Sequence, residues 1–195
     1  MLEIIRINPR LEQSENYFYE WMGDAFVYSA AMFVGRQVNR RRDSVSLLRL
    51  LSELSRNPTL INRENFLDRT TLRRTYLARI NSKHTQEAER VFDEFVGAGK
   101  DHIDRKSIDN EIKQLLDLTR RFKEFADHYV AHHSSQEMPS DKPTFSDLDN
   151  CIEFIVSLLE KYYLLLTGNR MPVLSKESFD PNWKELFTLP WVESP

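Results

Sequence analysis

Residues that interrupt helices are scarce in this sequence. The 195 residues include only five glycines and eight prolines, and no proline lies between Pro58 and Pro139. Within that interval Gly97 and Gly99 form the one expected break. Leucine, arginine, glutamate and lysine are abundant, and hydrophobic residues make up 41% of the chain. The composition therefore predicts a mostly α-helical protein with a packed core and argues against wholesale disorder.

Cysteine is nearly absent, which excludes an internal disulfide framework. The single cysteine, Cys151, lies in an apolar helical pattern, so we expect a buried thiol rather than a nucleophile. Residues 1–16 lack the apolar run of a signal peptide, and together with the missing disulfide this predicts a cytoplasmic location. The longest apolar stretch, Ala25 to Gly35, is about half as long as a bilayer requires, so no membrane partner is expected.

An excess of basic charge is also missing, because the formal net charge is −3 at pH 7. This argues against a surface that binds nucleic acid over its whole extent, yet it leaves room for a local basic groove. Residues 39–42, NRRR, close the first predicted helix. Two interpretations of this run stand: basic side chains that complement a helix C-terminus, or a corner of the protein that contacts phosphate.

Hydrophobic periodicity indicates about six helices followed by an irregular tail. The predicted helices cover residues 15–39, 44–55, 63–81, 84–96, 104–133 and 144–166. The predicted N-terminal caps are Ser14, Asp43, Asn62, Asp101 or Asp104, and Thr144 in a capping box with Asp147, and Gly168 is the predicted final stop. We expect residues 1–168 to form one helical bundle. Residues 169–195 hold four prolines and four large aromatic residues, and we expect this tail to pack on the bundle or on a partner subunit.

The first two helices carry their own packing predictions. The helix over residues 15–39 is apolar around most of its circumference, which is typical of a helix at the centre of a bundle or at a subunit contact. In the helix over residues 44–55, Val45 and the leucines at positions 47, 48, 51 and 54 are predicted to face the core.

The fifth predicted helix carries the main candidate site. Three of the five histidines, His128, His132 and His133, fall within six residues at its end, beside Asp127. The rings of His128 and His132, four residues apart, would point the same way on a helix. Three interpretations remain open from this pattern alone: a metal site, as in a metal-dependent hydrolase, a histidine that acts as acid or base, and histidines that satisfy a helix C-terminus.

The segment Phe125–His132, FADHYVAH, resembles the end of the signature helix in HEPN domains, especially the AbiU branch that is associated with abortive infection and phage resistance. Four other segments of the chain also resemble this branch. They are residues 36–47 (RQVNRRRDSVSL), Asn57-Pro58 with the arginine-rich helix that follows, residues 143–149 (PTFSDLD) and residues 161–168 (KYYLLLTG). The resemblance covers most of the chain. It implies an all-α, HEPN-like bundle that is usually homodimeric, and we expect the dimer to form through the first and fifth helices.

In its active members the resemblance implies metal-independent RNA cleavage at a dimer cleft, with no cofactor. An arginine and a histidine four to six residues later carry that chemistry. The histidine would take the 2′-hydroxyl proton or protonate the leaving oxygen, while the arginine would stabilise charge on the phosphate. By this resemblance His132 is the catalytic histidine, and Asp127 and His128 match supporting positions.

This sequence departs from the family pattern at the arginine. Ala126 stands six residues before His132, and neither arginine nor lysine lies four to six residues before His133. Arg121, earlier on the same helix, and Arg36, on the first helix, are the candidates to supply the missing charge. Two hypotheses follow: a HEPN-type ribonuclease or toxin in phage defence, and a non-catalytic HEPN-like dimer that binds RNA, a nucleotide or a protein partner such as an antitoxin.

Overall fold

The computed structural model describes residues 17–41, 43–75, 82–127 and 143–172. Within these ranges the chain forms six α-helices: α1 (Tyr17–Gln37), α2 (Leu47–Arg56), α3 (Arg63–Thr75), α4 (Ser82–Val96), α5 (Arg105–Ala126) and α6 (Phe145–Thr167). A 3₁₀ turn, Pro58–Leu60, joins α2 to α3, and the described chain has no β-strand, only an isolated bridge between Asn62 and His102. The prediction of an all-α bundle of about six helices is confirmed.

The chain divides into two compact units. One is Ala30–Met171, and the other combines Met1–Ser29 with Pro172–Pro195. The features described below belong to the Ala30–Met171 unit. The predicted boundary between a bundle over residues 1–168 and a tail over residues 169–195 stays a prediction, because most of that tail lies outside the described residues.

The core of the Ala30–Met171 unit forms where the helices pack in pairs. Helix α2 packs against α5, α3 packs against both α4 and α6, and α5 packs against α6. Phe66 and Phe92 join α3 to α4 with ring centroids 5.5 Å apart and planes tilted by 44°. Both phenylalanines are buried, as are Leu51, Leu115 and Tyr162. Burying each large apolar side chain stabilises the folded state by about 1.5–3 kcal/mol, so the packed helix pairs hold the bundle together.

Helix α5 has the apolar face that its sequence predicts. Ile108, Leu115, Thr119 and Phe122 are buried. Thr119 tolerates this position because its hydroxyl donates to the carbonyl oxygen of Leu115 at 2.7 Å, one turn earlier. Asp104 begins the helix by accepting a hydrogen bond from the backbone N–H of Lys106 at 2.9 Å, which decides between the two aspartates proposed as caps.

Most of the predicted helix ends are also found. Asn62 accepts from the N–H of Asn65 at 2.8 Å, and α4 ends at Val96, directly before the predicted glycine break. Thr144 and Asp147 form the predicted capping box at the start of α6. Gly168 ends α6 in the left-handed conformation (φ +70°), which glycine adopts without a steric penalty.

The start of α2 differs from the prediction. Ser46, not Asp43, is the N-cap: its hydroxyl accepts from the N–H of Arg49 at 3.2 Å and donates to the carbonyl oxygen of Asn39 at 2.7 Å. One side chain therefore caps α2 and ties it to the segment after α1, which an aspartate three residues earlier could not do. Val45 precedes the helix and is completely exposed, so its predicted place in the core is wrong.

Candidate functional site at the end of α5

The structure describes three of the five predicted site residues. Asp127, Arg36 and Arg121 are described, whereas His128 and His132 lie outside the described residues. The described part of the predicted site is therefore Asp127, Arg121 and Arg36, without the two histidines.

Asp127 directly follows the last residue of α5 and is exposed. Its backbone N–H still donates to the carbonyl oxygens of Lys123 and Glu124, and its dihedral angles (φ −63°, ψ −38°) are helical. Its carboxylate forms an ion pair with the ammonium group of Lys123, one turn earlier on the same helix. An exposed pair of this kind stabilises by well under 1 kcal/mol, so the Asp127 carboxylate can exchange this partner at little cost.

Arg121 is oriented by a carboxylate from another helix. Its Nη1 atom lies 3.4 Å from Oδ2 of Asp147, and the arginine side chain is 40% exposed. Asp147 also accepts hydrogen bonds from the backbone N–H and the hydroxyl of Thr144, each at 2.8 Å. These two donors, and less strongly the guanidinium of Arg121, lower the pKa of Asp147. The carboxylate is therefore ionised at neutral pH and holds Arg121 at the junction of α5 and α6.

Arg36 lies in the last turn of α1, where its side chain is exposed. Among the described residues its guanidinium makes no hydrogen bond or ion pair, and none joins it to the pair of Arg121 and Asp147. The structure thus pairs Arg121 with Asp147 and shows no bond between Arg36 and either of them. Whether Arg36 approaches His132 stays a prediction, because His132 is outside the described residues.

Two other candidate chemistries find no support among the described residues. Cys151 is completely buried, and burial raises the pKa of its thiol to about 11, so it is a core residue as predicted and not a nucleophile. Within the described ranges no group of three or more histidine, cysteine, aspartate or glutamate side chains is placed to hold a metal ion. The pair of His128 and His132 lies outside those ranges, so the metal interpretation of that pair is untouched.

A basic cleft lies beside α2. The sequence offered residues 39–42 as a corner that could contact phosphate but did not predict that Asn39 and Arg40 share a cleft with α2. A cavity of about 590 Å³ is bordered by the polar side chains of Asn39, Arg40, Arg49, Ser52, Glu53 and Arg56, with Leu48 and Ile112 beneath them. The four polar residues of α2 recur at i, i+3, i+4 and i+7, which places them on one helix face. That spacing was visible in the sequence, but these four residues share a cleft with Arg40 only through the folded connection between α1 and α2.

No helix among the described residues combines the length and the apolar character needed to cross a bilayer. Comparison with known proteins identifies no relative: no family model, no curated protein and no solved structure matches this chain. A function is therefore assigned from the residues themselves, from the all-α bundle and from the surroundings of the α5 terminus.

Proposed function

We propose that this protein is a HEPN-type protein directed at RNA, a cytoplasmic homodimer that acts as a metal-independent ribonuclease and toxin in phage defence. The observation that carries the proposal is the sequence FADHYVAH at residues 125–132. It begins in the last turn of a long helix, α5, whose buried face packs on the bundle and whose last two turns carry the partly exposed Arg121. An all-α bundle is the fold that this resemblance requires.

The chemistry assigned to the site needs no metal. His132 accepts the proton of a ribose 2′-hydroxyl, whose oxygen attacks the adjacent phosphorus; the P–O5′ bond breaks, and the leaving 5′ oxygen receives a proton. The products are a 2′,3′-cyclic phosphate and a 5′-hydroxyl. Arg121 stabilises the charge on the phosphate oxygens, and Asp147 keeps its guanidinium oriented. Asp127 and His128 take the supporting positions, and Arg36 is the second source of positive charge.

The homodimer is supported by the surface of α1. Ala31 and Val34 are buried, whereas Met32 and Phe33 on the same helix expose 45% and 50% of their surface. Large apolar side chains that remain half exposed are common at subunit contacts. This agrees with the dimer contact expected through the first and fifth helices.

A second candidate function is favoured by one specific observation. Ala126 occupies the position of the family's arginine, so the arginine–histidine pair is incomplete within α5. On this alternative the protein is a non-catalytic HEPN-like dimer, and the same end of α5 binds RNA, a nucleotide or a protein partner such as an antitoxin without cleaving anything.

The two functions are separated by RNA cleavage assays on the purified chain and three variants. Transfer RNA and messenger RNA are incubated with micromolar protein in EDTA and in magnesium. We expect cleavage in both, with 2′,3′-cyclic phosphate ends. His132→Ala should lower the rate of RNA cleavage by roughly 100-fold or more, and Arg121→Ala should lower it by a similar factor. Arg120→Ala is the matched control, because Arg120 is the adjacent exposed arginine and pairs with Glu124 instead.

Three results would contradict the catalytic proposal. Intact RNA under every condition, with the variants folded, favours the non-catalytic dimer. Equal cleavage by the wild type and by His132→Ala removes His132 from the mechanism. Cleavage that EDTA abolishes points to a metal-dependent hydrolase instead.

A further inference from the structure

The cleft beside α2 (the α2 cleft) is cationic at its rim. Among the described residues that line it, Arg40, Arg49 and Arg56 are basic and Glu53 alone is acidic, so positive charges exceed negative ones by two. This local excess occurs on a chain whose formal net charge is −3. A concave site with this charge attracts an anion.

The charge at the rim can be redirected to a ligand. The guanidinium of Arg40 makes no hydrogen bond or ion pair among the described residues. Arg56 pairs with Glu53 at 3.0 Å, but the two side chains are 69% and 53% exposed. Such a surface pair contributes roughly 0–1 kcal/mol, so a phosphate group can replace Glu53 at small cost.

The rim is held in place by short-range hydrogen bonds. Ser46 donates to the carbonyl oxygen of Asn39, whose own side-chain oxygen accepts from the N–H of Arg41 at 2.9 Å. Arg49 donates from Nη1 to the carbonyl oxygen of Ser44 at 3.2 Å. The corner after α1 and the first turn of α2 are therefore connected, and the positions of Arg40 and Arg49 follow from that connection.

The floor of the α2 cleft is apolar, and its polar groups are complementary to a base or a ribose. Leu48 from α2 is buried and Ile112 from α5 is partly buried, and both line the cleft. The hydroxyl of Ser52 donates to the carbonyl oxygen of Leu48 at 2.7 Å, so towards a ligand it can only accept. Asn39 uses its side-chain oxygen for Arg41, which leaves the amide NH₂ to donate. A volume of about 590 Å³ is that of a small-molecule site.

We propose that the α2 cleft binds one nucleotide unit. Its phosphate lies against Arg40 and Arg56, and its base or ribose lies over Leu48 and Ile112 between the Ser52 hydroxyl and the Asn39 amide. The unit is either a free nucleotide or one residue of an RNA strand, since both present the same phosphate, sugar and base. The assignment depends on the cleft alone and includes none of the residues assigned to RNA cleavage.

The first experiment is titration calorimetry of the full chain with adenosine 5′-monophosphate, adenosine and inorganic phosphate. The nucleotide should bind more tightly than either of its parts, because only the nucleotide occupies both rim and floor. Arg40→Gln and Arg56→Gln should each weaken nucleotide binding about tenfold, the effect of losing one hydrogen bond to a charged group. Arg41→Gln is the matched control, since Arg41 belongs to the same basic run but does not line the cleft.

The second experiment identifies the source of the nucleotide. If the unit belongs to an RNA strand, a short single-stranded oligoribonucleotide should displace the monophosphate, and Arg40→Gln should weaken binding of the strand as much as binding of the monophosphate. If the unit is a free nucleotide, the oligoribonucleotide should not displace the monophosphate. Both outcomes support a nucleotide site. The strand is tested with the His132→Ala variant, which cannot cleave it, and the monophosphate should bind that variant as tightly as it binds the wild type. That result tests the α2 cleft independently of RNA cleavage, so the cleavage proposal can fail while the nucleotide site stands.

Other results would overturn the nucleotide assignment. It fails if neither the monophosphate nor the oligoribonucleotide binds at millimolar concentration, or if Arg41→Gln weakens binding as much as Arg40→Gln. It also fails if inorganic phosphate or an acidic peptide binds as tightly as the monophosphate, because the cleft would then be a general anion site. Circular dichroism of each variant checks that the exposed substitutions leave the fold intact.

Discussion

The strongest test of the packing between α5 and α6 is the replacement of Glu111. Its Oε1 atom lies 2.5 Å from Nζ of Lys161, and its Oε2 atom accepts from the hydroxyl of Tyr162 at 2.6 Å. The side chains of Lys161 and Glu111 are only 13% and 19% exposed, and Tyr162 is buried. One carboxylate therefore satisfies a nearly buried ammonium group and a buried hydroxyl at once.

Glu111→Ala should destabilise the protein by about 3–4 kcal/mol. The hydroxyl of Tyr162 loses its partner inside the core, which costs about 1–3 kcal/mol. Removing one member of a buried ion pair costs about 3–5 kcal/mol, and the partial exposure of Lys161 places the expected total near the lower end. Because about 1 kcal/mol corresponds to about 2–4 °C in a domain of this size, the melting temperature should fall by roughly 6–16 °C.

Urea unfolding followed by circular dichroism measures this loss. Glu53→Ala is the matched control, because it removes an ion pair of 3.0 Å that lies on the surface, and it should cost less than about 1 kcal/mol. The triple variant Glu111→Leu, Lys161→Met, Tyr162→Phe should recover most of the stability, since it replaces the whole polar cluster by apolar side chains. The reasoning is refuted if Glu111→Ala costs no more than Glu53→Ala.

Three further predictions use the same unfolding assay or a labelling reaction. Burial, followed by the hydrogen bond to the Glu111 carboxylate, raises the pKa of Tyr162, so its stabilising contribution is complete below about pH 10 and falls as the pH rises further. Tyr162→Phe should make this alkaline loss of stability shallower, and an unchanged slope would contradict it. Gly168→Ala should cost about 2–3 kcal/mol, because a Cβ atom at φ +70° would lie 3.1 Å from the backbone nitrogen of Thr70, whereas Gly99→Ala at φ +72° has open space and should cost about 1 kcal/mol. Cys151 should react with a thiol reagent near neutral pH only in the unfolded protein, since burial raises its pKa to about 11; rapid labelling of the native chain would show otherwise.

The positions of the helices and most of their ends could be read from the sequence, because their determinants are local. Thr144 and Asp147 are three residues apart and satisfy each other's backbone groups whatever else the chain does. Asn62 and Gly168 act over similarly short distances. The apolar stripe of α5 predicted its buried face for the same reason, since residues three and four apart share one side of a helix.

The start of α2 shows where local information ends. Asp43 and Ser46 are both acceptable caps by residue type. Only Ser46 can also donate to the carbonyl oxygen of Asn39, and that second bond exists only once α1 and α2 are connected in three dimensions. The same limit explains Val45, whose spacing agreed with the leucine stripe although the helix begins after it.

Only the tertiary structure decides which polar and charged side chains contact one another. Glu111 meets Lys161 and Tyr162 across about 50 residues of sequence, and Arg121 meets Asp147 across 26. The α2 cleft likewise requires Arg40 to line the same cavity as Arg49 and Arg56. The resemblance to HEPN domains made His132 a candidate, and the arginine missing from that pattern made Arg121 and Arg36 candidates. Which charges meet depends on how separate helices pack, because a charged side chain selects its partner by distance in space and not by position along the chain.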